Sequence, residues 1–75
     1  MMITGAQIRK ARELLGWRQA ELAKQARIRR HSVESAENSD AESFVPGEYV
    51  RAIQAALESA GIEFTNGDAP GVRLR

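Results

Sequence analysis

The stretch from Gln19 to Glu37, QAELAKQARIRRHSVESAE, constrains the fold of this chain more than any other, because its apolar residues follow the helical period twice with a break between. Leu22, Ala23 and Ala26 share one side of a first short helix, and Val33, Ala36 and Glu37 share one side of a second. Ile28 falls between them and is placed to turn inward, so the two pieces are expected to meet across a tight turn. Left outward on the second piece are Arg30, His31, Glu34 and Ser35, all able to hydrogen-bond.

The flanking residues supply partners for that pair. Thr4 with Gln7 makes a capping-box pattern and Ile3 with Ile8 a hydrophobic staple, which predicts a first helix over Gly5 to Leu15. Its buried stripe is Ile8, Ala11 and Leu15, with Leu14 at the edge and Gly16 as the stop. Trp17 is expected to wedge between the first two helices as core. Helix two is predicted over Gln19 to Ala26 and helix three over Arg30 to Asn38. A polar loop over residues 38–46, anchored by Phe44 and Val45, leads to Pro46 and Gly47, which open a fourth helix reaching Ala60. Val50, Ile53, Leu57 and Ala60 would close the core, and Gly61 would end the helix.

The period then shortens to two. Ile62-Glu63-Phe64-Thr65 and Val72-Arg73-Leu74-Arg75 flank the turn-rich Asn66 to Gly71, predicting a β-hairpin with Ile62, Phe64, Val72 and Leu74 on one face and Glu63, Arg73 and Arg75 on the other. The expected fold class is mainly α, with a four-helix domain over residues 1–61 and a short C-terminal β-hairpin over 62–75. An isolated hairpin is marginal in water, so this one is expected both to pack on the helices and to dimerise through Ile62, Phe64, Val72 and Leu74. A frayed tail is the alternative.

Composition narrows the function. With 75 residues the chain holds one domain that buries only roughly 60% of its unfolded surface, which favours a homodimer. No cysteine is present, excluding disulfides and thiolate metal sites, and His31, the one histidine, has no companions for zinc. No cofactor is expected. No apolar run approaches the roughly 20 residues that span a bilayer, so no membrane association and a cytoplasmic location are expected. No nucleophile stands at a telling spacing from a base, and no glycine-rich phosphate loop occurs, which argues against an enzyme. The net charge of +1 conceals an asymmetry: residues 1–33 carry eight basic and two acidic side chains, residues 34–75 three basic and eight acidic. A basic face on an acidic remainder suits a small nucleic-acid binder, although two oppositely charged solvated surfaces would read the same way.

Over Ile8 to Asn38 the chain resembles the helix-turn-helix family of phage repressors, Cro proteins and bacterial relatives, the XRE or Cro/CI family. Gln19, Leu22 and Ala23 match its Gln-x-x-Leu-Ala core, Gly16-Trp17 its preceding glycine and apolar pair, and Ser32-Val33-Glu34 and Glu37-Asn38 its second helix. The resemblance implies a repressor-like domain in which Arg12 and Glu37 form a structural ion pair. It also implies that helix three lies in the major groove of double-stranded DNA. Arg30, His31 and Ser35 then face the bases, Arg30 suited to a bidentate guanine contact; Glu34 would accept from a cytosine amine or restrain a neighbouring arginine. Gln19 would anchor a phosphate with its side chain and the amide end of its helix. The implied function is a sequence-specific regulator, a repressor or an activator, bound as a dimer to a palindromic operator. The alternative is a protein-binding antagonist, an antiactivator or antitoxin-like partner on the same scaffold.

Three departures from the family pattern fall at the helix ends. Arg18 and Arg29 stand where Ser, Thr or Asn usually caps helices two and three, and Arg27 where the turn usually has a left-handed glycine. Arginine cannot accept the orphan N–H bonds and meets the positive end of the dipole, costing on the order of 1 kcal/mol at each cap. A phosphate could supply both the acceptor and the counter-charge, making Arg18 and Arg29, with Lys24 or Arg27 at the margin, candidate phosphate contacts. Decay of the motif into a protein-binding scaffold is the rival explanation. Asp40 and Glu42 weigh against a backbone contact by the loop that carries them.

Overall fold

The computed structural model describes residues 3–38, 47–65 and 71–75. They form α1 (Gly5–Leu15), α2 (Gln19–Ala26), α3 (Arg30–Glu37), α4 (Gly47–Ser59) and the strands β1 (Ile62–Thr65) and β2 (Gly71–Leu74). The chain is mainly α with a two-stranded antiparallel hairpin, and α1 and α2 have the bounds their sequence signals predict. Helix α3 ends one residue early, at Glu37, with Asn38 as its C-cap, and α4 ends at Ser59 because Ala60 and Gly61 close its last turn, Gly61 taking φ 103°. Strand β2 begins one residue early, at Gly71. The expectations for Phe44, Val45, Pro46, Asp40, Glu42 and the turn over residues 66–70 lie outside the described residues.

Helix α1 is built as its sequence indicates. Thr4 Oγ1 accepts from the Gln7 amide at 3.1 Å, Gln7 Oε1 accepts from the Thr4 amide at 2.8 Å, and Ile3 and Ile8 are both buried. At its other end the Gly16 amide donates to Glu13 O and the Trp17 amide to Arg12 O, a Schellman closure with Gly16 at φ 70°. Helix α2 ends in the same geometry. Its amides at Arg27 and Ile28 donate to Lys24 O and Ala23 O, and Arg27, at φ 59°, is the one non-glycine residue with positive φ among those described.

The core runs from Ile3, Ile8 and Ala11 through Leu22, Ala23, Val33 and Ala36 to Val50, Ile53, Leu57 and Ile62. Trp17 packs at its margin, half-buried, instead of forming its centre. Strand β1 lies against α4 and β2 along α1, with Ile62 opposite Leu74 and Phe64 opposite Val72. Of the dimer face read from the sequence, Ile62 is fully buried and cannot meet a second chain; Phe64 and Val72 are half-buried against their own core, and Leu74 is 50% exposed. The helices supply the cover that a lone hairpin lacks.

Two small details hold these layers together. Gln7, 4% exposed, also donates from Nε2 to Gly71 O at 3.2 Å and Thr65 O at 3.5 Å, tying the start of α1 to the hairpin. Gly5 lies so close to the end of α3 that a Cβ there would stand 2.4 Å from Glu37 O and 2.6 Å from Ala36 O.

Candidate nucleic-acid interface

The α2–turn–α3 unit is held in place from behind by one carboxylate. Glu37, 4% exposed, accepts from Arg12 Nε at 2.8 Å and Arg12 Nη2 at 3.1 Å, a two-pronged pair, and from Gln19 Nε2 at 3.2 Å. Arg12 Nη1 donates onward to Trp17 O at 2.9 Å, and Arg9 Nη2 donates to the Glu37 carbonyl at 3.1 Å. A carboxylate at the last turn of a helix meets the negative end of its dipole, and these cations offset both charges. One side chain thus ties α1 and the start of α2 to the end of α3.

The Gln19 side chain turns toward Glu37 and gives that carboxylate one of its two Nε2 hydrogens; the other, with the backbone N–H in the first turn of α2, is what it has for an anion. The burial of Gln7, the Arg9 contact and the close approach at Gly5 were not anticipated. A glycine at the first helical position, where the chain gains nothing from its freedom, is the one sequence signal that marks the last of these.

The opposite side of α3 is open. The Arg30 and His31 side chains are 64% and 87% exposed; Glu34 is 39% exposed, and Ser35 is half-buried. Glu34 Oε1 stands 3.6 Å from Arg30 Nη2 and its Oε2 4.0 Å from His31 Nδ1, so Glu34 restrains its neighbours one turn back. The connecting turn alternates: Ile28 packs against the core while Arg27 and Arg29 on either side are exposed.

The helix starts lack side-chain caps, as arginine dictates. Arg18 and Arg29 have extended N-cap backbones but make no capping bond; at α2 only the reciprocal half of a capping box forms, Glu21 Oε1 accepting from the Arg18 amide at 3.3 Å. Among the described residues, the amides of Gln19 and Ala20 in α2, and of Arg30 and His31 in α3, therefore lack an acceptor, whereas those of Glu21 and Ser32 already donate to Arg18 O and Arg29 O. Among the described residues the side chains of Arg18, Lys24, Arg27 and Arg29 are exposed and enter no ion pair. What gathers along α2, the turn and the start of α3 is positive charge with free donors and two carboxylates, Glu21 and Glu34, each engaged locally. Such a surface can bind a polyanion.

No protein-family model matches the chain, and no curated protein sequence matches it. Among the described residues no cluster of His, Asp or Glu is arranged to hold a metal, and no helix is long and apolar enough to cross a membrane.

Proposed function

We propose that this chain is a sequence-specific DNA-binding transcriptional regulator that inserts α3 into the major groove, as in the XRE or Cro/CI helix-turn-helix family that Ile8 to Asn38 resembles. The observation that carries this reading is the exposure of Arg30 and His31 at the start of a helix whose other side is fastened by Glu37. Arg30, His31 and Ser35 face the bases. Releasing Arg30 from Glu34 costs little, since an exposed ion pair is worth about 0–1 kcal/mol, whereas a bidentate guanine contact discriminates by about 1–3 kcal/mol. Arg18, Arg27, Arg29 and Lys24, with the Gln19 amide, contact phosphates, and the free first-turn amides find in those phosphates the acceptors that arginine caps withhold.

On a palindromic operator one copy occupies each half-site, about one helical turn or roughly 34 Å from the other. Selection of random duplexes by the purified protein, with the mass of the complex in solution, tests the reading. A two-fold enriched motif bound by two copies supports it; no enrichment by folded protein at low salt refutes it.

A further inference from the structure

The outer edge of β2 is open to an added strand. In an antiparallel pair, facing residues alternate between those that exchange bonds and those whose N–H and C=O turn outward. The Arg75 amide donates to Gly61 O at 2.8 Å, which sets the phase in this register: Glu63 and Arg73, and Thr65 and Gly71, exchange bonds, whereas Val72 and Leu74 turn their backbone groups away from β1. Among the described residues neither Val72 nor Leu74 has another hydrogen-bond partner. Beside β2, between it and α1, lies a depression of about 240 Å³ lined by Thr4, Ala6, Gln7, Lys10, Gly71 and Val72, and by no residue of β1. It is smaller than the roughly 300 Å³ at which pockets for whole small molecules begin, so what it fits is a side chain.

Charge selects the occupant. Lys10 stands on the wall of the depression, with Arg73 on the strand and Arg75 just beyond it; Glu63, the one described carboxylate of the hairpin, is shared between these two arginines, so the edge keeps an excess of positive charge. A second copy of β2 fits badly: setting Val72 against Leu74 about a two-fold axis puts Arg73 opposite its own counterpart, setting Leu74 against itself puts Arg73 opposite Arg75, and setting Val72 against itself asks Leu74 to bond Pro70, which has no N–H to give. Like charges directly opposite are destabilising. We infer that the β2 edge binds an extended segment of another protein in which apolar residues, directed to the depression and to Val72 and Leu74, alternate with acidic residues facing Arg73 and Arg75. Backbone bonds supply affinity and the alternation supplies specificity. This site is separate from the DNA reading, which uses α2 and α3.

Fluorescence anisotropy with a labelled peptide of alternating valine and glutamate, compared with its valine–lysine counterpart, tests the inference on the full chain. The acidic peptide binds saturably and the basic one does not. Leu74→Pro removes one outward N–H without touching a bond to β1 and weakens binding by about fivefold or more, with helicity retained. Should that variant unfold, Lys10→Glu, at an exposed helix position, weakens the acidic peptide and favours the basic one. Equal binding of both peptides, or no binding by folded protein, overturns the inference. So does a sedimenting dimer that Leu74→Pro dissociates, because a second copy would then hold the edge.

Discussion

At the scale of single residues the decisive group is Glu37. Its carboxylate is almost fully buried and Arg12 is 17% exposed, so removing either partner strands a charge where water barely reaches. Glu37→Ala is expected to cost about 3–5 kcal/mol, a loss read directly as a lower denaturant midpoint. Glu37→Gln, which keeps the shape and part of the bonding, should cost less. The Arg12–Glu37 pairing could be anticipated from the resemblance, but the inward turn of Gln19 could not. Nor could the burial of Gln7, since its hairpin partners lie 58 and 64 positions along the chain and only the closed fold brings them together. A polar side chain carries no local sign of burial.

Elements were the most readable level, because caps, stops and apolar periods are written within a few neighbouring residues. Thr4, Gln7 and Gly16 mark α1 at both ends, and the two-residue alternation around Glu63 and Arg73 marks the hairpin and its two faces, while the register comes from the closed fold. The arginine caps are equally local. Arg18→Ser and Arg29→Ser should each stabilise the protein by about 1 kcal/mol, raising Tm by about 4–8 °C for a domain of this size. The same variants should flatten the salt dependence of DNA binding; a higher Tm with an unchanged salt slope would remove phosphate from the explanation and leave motif decay. How elements approach one another is less visible. Gly5→Ala improves helix propensity by up to about 1 kcal/mol, yet its Cβ would meet backbone oxygens at 2.4 and 2.6 Å, which cannot swing aside as a side chain does. The clash wins, and thermal melting should show a net loss of stability as α1 is forced off α3.

For the whole molecule, the hairpin shows where sequence reasoning reached its limit. Its alternating faces were evident, but whether the apolar face met the same chain or a second one depends on how α1 and α4 pack, and they cover it. That packing buries Ile62 in the chain's own core and leaves Val72 and Leu74 with backbone groups turned away from β1. If α3 reads bases while arginines at the helix ends grip phosphates, the two roles separate in a titration of the selected duplex over a range of salt, for the native chain and Arg30→Ala. Log K then falls steeply and linearly with log salt, by about 0.9 per phosphate contact, and Arg30→Ala loses about 1–3 kcal/mol of discrimination at one base pair while still binding DNA. Equal affinity of folded native protein and Arg30→Ala for every duplex, selected or mutated, would contradict that separation of roles.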